Sequence, residues 1–418
     1  MEHQTPLAYP AFRMALTGRV VSTAGSWMQT VAAGWLIYKV TDSAAAVGFL
    51  AVLAQAPGVL FSLVGGDLAD RVDRRRLIIG TSLLQAAGAG LLALLAWDGV
   101  ISAAEVCVGT LLIGMGSAVA NPALQTVIAD AVPPRLVERA TALNSLGYNL
   151  ARLFGPAIGG VLTAAAGAAP CFAINAISFV AVAGAMTRVP ARRIATRAGI
   201  GLREAIRRAA HHDVLRDLLL VVLFVSLLIA PIGQLTPVLA RDHGEGAHWV
   251  GFLLTAMAVG GIIGNRARVV FEHRGTHRRR VLGLMMLGCG LAMAVLAVDD
   301  TFAFATVAMV SIGICWEILF VTTLTGIQLE APEGLTGRAV GLFFTATLAG
   351  AAAGAAGVGG LLECLGDYDG LLLVAAVVIA LGLSRLFRAR DLRRPPKGIH
   401  GEDRADAVAA PTSPRTPR

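Results

Sequence analysis

Long apolar runs alternate with short polar breaks along the whole chain. Twelve such runs fall near 14–38, 43–65, 77–97, 103–129, 142–165, 168–187, 214–239, 247–265, 281–298, 302–328, 338–361 and 370–387. Each is rich in Leu, Ala, Val and Gly, and each approaches the ~20 apolar residues that cross a bilayer core as a helix. Helices are the expected form, because a backbone in lipid must satisfy its own hydrogen bonds. The pattern predicts an all-α integral membrane protein with 12 transmembrane helices. The longest break, 188–213, puts Leu202, Ile206 and Ala209 on one helical face and Arg203 and Arg207 on another, which reads as an interfacial amphipathic helix. The end of the chain, 388–418, mixes prolines with charges and is expected to be a disordered tail.

Composition agrees with this reading. Residues of the set AVILMFWYC make up 56% of the 418, and only 15% are Asp, Glu, Lys or Arg. A soluble domain would carry roughly 25% charged residues. The net charge of +8 could indicate nucleic acid, but the arginines sit in alternate connections. Arg71, Arg74, Arg75 and Arg76, then Arg135 and Arg139, then the 188–213 stretch, then Arg268, Arg274 and Arg278 to Arg280 fall on one side. The other side carries Lys39 and Arg241 among Asp42, Asp98, Glu105, Asp299, Asp300, Glu363, Asp367 and Asp369. The positive-inside rule then places both termini in the cytoplasm of an inner (plasma) membrane, with no nucleic-acid partner. Lys39 and Lys397 are the two lysines, and neither lies in a Walker A setting, which excludes a P-loop ATPase. Five scattered cysteines without a C-x-x-C pair read as reduced core residues, so no metal and no cofactor are expected. The first apolar run is too long for a signal-peptide core and is expected to stay as the first span.

An internal repeat organises the runs. Val47-Gly48-Phe49-Leu50 recurs 203 residues later as Val250-Gly251-Phe252-Leu253, and Gln125 recurs as Gln328. At a spacing of 199, Pro133, Leu136, Arg139, Ala140 and Gly155 recur as Pro332, Leu335, Arg338, Ala339 and Gly354. Two six-helix bundles of like orientation follow, as in transporters that rock about a central site. The expected divisions are 1–187 and 214–387 for the bundles, 188–213 for the linker and 388–418 for the tail.

Between runs two and three stands Gly66-Asp67-Leu68-Ala69-Asp70-Arg71-Val72-Asp73-Arg74-Arg75. It resembles the G-x-x-x-D-[RK]-x-G-[RK]-[RK] signature of the major facilitator superfamily in all but one position, where Asp73 replaces a glycine. The resemblance implies a cytoplasmic gating latch formed by Gly66, Asp70, Arg71, Arg74 and Arg75. Asp73 would have to make the turn without glycine's positive-φ freedom. In run five, Gly155-Pro156-Ala157-Ile158-Gly159-Gly160 resembles the superfamily's antiporter motif. There Gly155 and Gly159 admit a close neighbour and Pro156 removes a helical hydrogen bond. Together with Gly25-Ser-Trp27-Met-Gln29, Asn121-Pro122-Ala-Leu-Gln125 and Asn149-x-x-Arg152, these residues resemble the enterobactin-exporter-like, transmembrane secretion effector branch over roughly residues 12–387.

Ionisable groups deep in a membrane are costly and so point to function. Three stand out: Arg19 in the first run, Arg152 in the fifth and Glu317 near the middle of the tenth. Desolvation and a neighbouring arginine act on a buried carboxyl in opposite directions, which suits exchange of protons. Glu317 is the candidate proton-coupling acid, and Arg152 its partner or the anchor for an anionic substrate group. A purely structural Glu317–Arg152 pair is the alternative. The resemblance implies that runs one, four, seven and ten line the cavity. That makes Arg19, Gln29, Trp35, Asn121, Gln125 and Gln234 the candidate lining residues. No H-E-x-x-H or G-x-S-x-G elbow is present, so no catalytic residue and no enzyme is expected. The expectation is a monomeric secondary transporter that exports a small, drug-like amphipathic molecule in exchange for protons. A siderophore exporter is the alternative, followed by an importer or a non-transporting sensor.

Overall fold

A computed structural model describes residues 5–64, 73–188, 202–241, 246–273, 278–298, 301–332 and 335–391. The described elements are helices, without a strand among them. The first group comprises α1 (Pro10–Thr41), α2 (Ala44–Val64), α3 (Arg74–Trp97), α4 (Ala103–Asp130), α5 (Val137–Ala166) and α6 (Ala169–Met186). After a short α7 (Leu202–His211) come α8 (Asp213–Leu228), α9 (Ala230–Gln234), α10 (Thr236–Arg241), α11 (Ala247–His273), α12 (Arg278–Val298), α13 (Phe302–Glu330), α14 (Thr336–Leu365) and α15 (Asp367–Asp391).

Local chemistry explains where the helices begin and end. Asp73 caps α3 by accepting from the Arg75 backbone N–H at 2.9 Å, with φ of −57°. The residue that replaces the motif glycine thus needs no left-handed backbone, because it serves as a helix N-cap instead. Ser102 and Glu105 form a capping box at the start of α4. Gly167 and Gly366, 199 residues apart, end α5 and α14 at φ of +79° and +87°, a conformation that only glycine adopts cheaply.

The seventh run departs from expectation: it is three helical pieces rather than one. Pro231 and Pro237 lack the N–H that a continuous helix needs, and the chain re-forms a turn after each interruption. Ten of the described helical stretches are long and apolar enough to cross a membrane, counting α8 and α9 together. The sequence expectation was twelve. The difference lies in α1 and α5, which are 32 and 30 residues long but interleave Arg, Asn, Ser, Thr and Gly with their apolar positions.

The helices sort into two packing groups. Within the first, α1 packs on α5 and α6, α3 on α4 and α6, and α2 on α4; within the second, α12 packs on α15 and α13, α11 on α13, and α8 on α14. The groups meet along two long seams, α2 against α14 and α5 against α11. Among the described residues, Asp42, Asp98, Glu105, Glu363, Asp367 and Asp369 lie at helix ends on one side, here the acidic end, and Arg75, Arg76, Arg135, Arg139 and Arg278 to Arg280 at those on the other, the basic end. Ala209 of α7 is buried against the bundle while Ile206 stays half exposed, as an interfacial helix would leave it.

Candidate transport site

On α1, Ser26, Thr30 and Gly34 recur at helical spacing and face a cavity of about 180 Å³. Thr110, Gly114 and Ser117 of α4, Asn175 of α6 and Gln234 of α9 complete its polar and small lining, with Val47, Leu50, Ile113 and other apolar groups between them. The amides are held in place. Asn175 Nδ2 donates to Gln29 Oε1 at 2.6 Å, and Gln85 Nε2 donates to Ser117 Oγ at 2.8 Å. Drug-sized ligands usually fill ~300 Å³ or more, so this space is smaller than a whole drug-sized molecule.

Against α11, α5 and α13 bring the two deep charges together. Arg152 Nη1 lies 3.8 Å from Glu317 Oε2, and both side chains keep about a fifth of their surface accessible (20% and 22%). The pair joins the first packing group to the second. Gly261 of α11 lies against it, where a methyl group would stand in ordinary contact, 3.6 Å from Glu317 Oε2 and 3.8 Å from the Arg152 guanidinium. Arg268, also on α11, acts electrostatically on Glu317 as well. One turn after Arg152, Pro156 removes the N–H that would bond the Arg152 carbonyl.

The other sequence candidates take varied places. Gln29 and Gln234 line the cavity. Asn121 and Gln125 continue the Thr110–Gly114–Ser117 stripe one and two turns toward the basic end, where they are exposed and outside the lining. Trp35 packs with Trp249 against Val31, Ala240, Val250 and Leu254 rather than on the cavity. Arg19 lies on α1 seven residues before Ser26. Gly155 and Gly159 let α5 close on α1, where methyl groups would meet Trp27 Cβ at 2.7 Å and the Met28 Cα at 2.6 Å. Gly160 turns the other way, toward the Ala247 carbonyl oxygen of α11, 2.7 Å from a methyl placed there. Gly66, Asp70 and Arg71 lie outside the described residues. Arg74 opens α3, and the Arg75 guanidinium donates to the Thr187 carbonyl, the C-cap of α6. Ser26, Thr30, Thr110, Ser117, Asn175 and Arg268 were not singled out from sequence. A lone amide such as Asn175 within an apolar run was the available signal.

Comparison with known proteins gives a family to this arrangement. The curated relatives include the multidrug efflux pump Tap of Mycolicibacterium fortuitum, 27% identical over 394 residues, covering 90% of this chain and 95% of that one. They also include the enterobactin exporter EntS of Salmonella typhimurium (strain LT2), 25% identical over 405 residues, covering 92% and 94%. Among solved structures, the nucleoside transporter NupG superposes with a TM-score of 0.73 at 12% identity, covering 91% of this chain and 99% of the other. A bacterial homolog of the human lysosomal transporter Spinster, inward-facing and unoccupied, gives 0.71 at 15% identity, covering 91% and 96%. These low identities speak for the fold alone. The family profile described as transmembrane secretion effector matches residues 2–395, and the chain belongs to that family.

Proposed function

We propose that this chain is a secondary active exporter of a small amphipathic, drug-like molecule, driven by exchange for protons. The observation that carries the reading is the Arg152–Glu317 pair, which bridges the two packing groups and stays partly accessible. A charge pair in that place responds both to protonation and to separation of the groups. Neutralising Glu317 weakens its hold on Arg152, and parting α5 from α13 exposes the carboxyl to solvent. The names of the relatives, a multidrug efflux pump and an enterobactin exporter, support export in either of two cargo classes. The hydroxyl- and amide-lined cavity is compatible with both.

In this reading α1 and α5 cross the membrane despite their polar faces, giving twelve spans. The moving units are 1–187 and 214–387, joined by 188–213 and followed by the tail 388–418. The arginine-rich end faces the cytoplasm of the plasma membrane with both termini. One chain is the working unit. The acidic end, where the seams are tight, is the outer gate, and Gly66, Asp70, Arg71, Arg74 and Arg75 belong to the inner one.

The test is accumulation of a panel of dyes, antibiotics and catechol compounds in everted membrane vesicles, with and without an uncoupler. Uncoupler-sensitive accumulation is expected with the native chain. Glu317→Gln, inserted at native levels, is expected to lose it by about tenfold or more, the usual weight of a proton-transferring group. Undiminished uncoupler-sensitive transport in that variant would remove Glu317 from the coupling step.

A further inference from the structure

Among the described residues of the first packing group every acid lies at or near a helix end: Asp42, Asp98 and Glu105 at the acidic end, Asp73, Asp130 and Glu138 at the basic end. Two arginines lie deeper, Arg19 on α1 and Arg152 on α5. Arg152 has Glu317, which Arg268 also faces. Among the described residues Arg19 has no such counterpart. Its Nε and Nη1 are enclosed and donate to nothing, and Tyr148 of α5 lies within electrostatic reach of it. One turn from Tyr148 on α5, Asn144 Oδ1 is likewise enclosed and accepts nothing.

The placement of Arg19 connects this charge to the cavity. Ser26 and Thr30 follow it by seven and eleven residues, about two and three helical turns, so all three share one stripe of α1. The neighbouring faces of α1 are already taken. Gly18 and Gly25 meet Val182 and Asn175 of α6, while Val20 and Leu16 meet Gly147 of α5. Arg19 therefore lies on the cavity stripe, about 10 Å nearer the basic end than Ser26. An enclosed guanidinium with idle donors is costly in a protein interior, and an anion placed against it removes that cost.

We infer that Arg19 is the anchor for an acidic group on the transported molecule, so that the cargo is an amphipathic anion with its acid head at Arg19 and its body in the cavity above. A hydroxyl or N–H near the acid would satisfy Asn144. The inference rests on the export reading for its biological sense, but the anion site is testable by binding alone.

The probes are rhodamine 110 and its methyl ester rhodamine 123, which differ in a free carboxylate against a neutral ester. Binding to the purified full-length chain is read by fluorescence anisotropy. The carboxylate dye is expected to bind about tenfold tighter, the worth of one charge-assisted contact. Arg19→Gln is expected to erase that preference while leaving the ester's affinity within about twofold, and Arg19→Lys to keep part of it. Equal or tighter binding of the ester by the native chain needs no variant and overturns the inference. So does an Arg19→Gln variant that weakens both dyes alike. An anionic lipid head offers the same chemistry. Repeating the measurement in phosphatidylcholine bilayers with and without phosphatidylglycerol separates the two sources: retained preference in both supports a cargo site, and displacement by phosphatidylglycerol overturns it in favour of lipid. Everted-vesicle transport of the same dyes tells the two readings apart. Pumping of the ester without carboxylate preference overturns the anion anchor and keeps export, whereas carboxylate-selective binding without pumping of either dye keeps the anchor and overturns export.

Discussion

The two seams between the packing groups are copies of one another that have come to do different work. Gly48 of α2 meets the Ala355 carbonyl of α14, and Gly251 of α11 meets the Pro156 carbonyl of α5. Nearer the acidic end, Gly359 meets the Ala44 carbonyl and Gly160 meets the Ala247 carbonyl. These partners are the same residues displaced by 203 in α2 and α11 and by 199 in α5 and α14. Backbone thus meets backbone at equivalent places, which small residues permit and larger ones do not. The side chains then diverge. At the α5–α11 seam the polar contacts lie in the middle: Arg152 of α5 reaches past α11 to Glu317 of α13, and Thr255 Oγ1 donates to the Leu153 carbonyl at 3.1 Å. Its acidic end is plain, with Ala164 beside Gly246. In the α2–α14 seam the position equivalent to Arg152 is the buried Ala351, and the polar contact has moved to the acidic end. There Glu363 Oε2 accepts from Ser43 Oγ at 3.0 Å and from the Ala45 N–H at 3.3 Å, capping α2 from across the seam. Duplication supplied the closure. Divergence put an ion pair at one seam and a helix-capping carboxylate at the other.

The strongest way to break the comparison is to block closure itself. Gly48→Val and Gly251→Val each drive a side chain into a carbonyl of the opposite helix. Both are expected to lower transport by about tenfold or more, with similar size because the sites are equivalent. Labelling of a cysteine placed at the acidic end should rise in both. A large effect from one substitution and none from the other would mean that the seams do not close together.

A smaller effect sharpens the difference between them. Glu363→Gln should loosen the acidic end of the α2–α14 seam by about 1 kcal/mol, the usual worth of a helix N-cap, seen as about fivefold faster labelling at Ser43→Cys. Ala164→Glu transplants the carboxylate to the equivalent place, and slower labelling of the α11 start is the expected outcome. Unchanged labelling in both would show that the capping contact contributes nothing to the gate.

The smallest effect falls on α7, which connects the two groups. Arg208 and Arg207 hold the Glu204 carboxyl below the usual glutamate range by hydrogen bonds to it. A depressed carboxyl stabilises the folded form at neutral pH, and that support is lost as pH falls through its value in the folded helix. Glu204 is exposed, so the contribution is minor. Glu204→Gln is expected to speed hydrogen exchange across Leu202–His211 about twofold at pH 7 and to make no difference below the glutamate range. An exchange difference that persists in acid would assign the effect to packing.

Much of this was legible in the chain itself. The apolar runs located the helices to within a few residues at most ends, since lipid and buried packing both demand continuous apolar surface. The spacings of 203 and 199 were legible too, because close backbone contacts constrain residue size strongly enough to leave glycines in register. Other features were not. Trp35 and Gln29 both looked like cavity residues on α1, yet they point about 120° apart around the helix, and only the neighbours decide which direction is open. The broken seventh run was hidden because Pro231 and Pro237 do not disturb hydropathy. Asp73 looked like a strained substitute for glycine and is a helix cap, a difference set by where α3 begins.

By itself, the sequence determined the membrane-embedded helical class, the internal duplication and the presence of three deep charges, because burial and repetition leave one-dimensional traces. Tertiary structure decided which charges meet. Arg152 and Glu317 are 165 residues apart in the chain and become partners when α5 and α13 converge beside Gly261. Arg19, equally deep, converges with no acid among the described residues. Pairing depends on distances of a few ångströms between helices, and no periodicity along the chain encodes them.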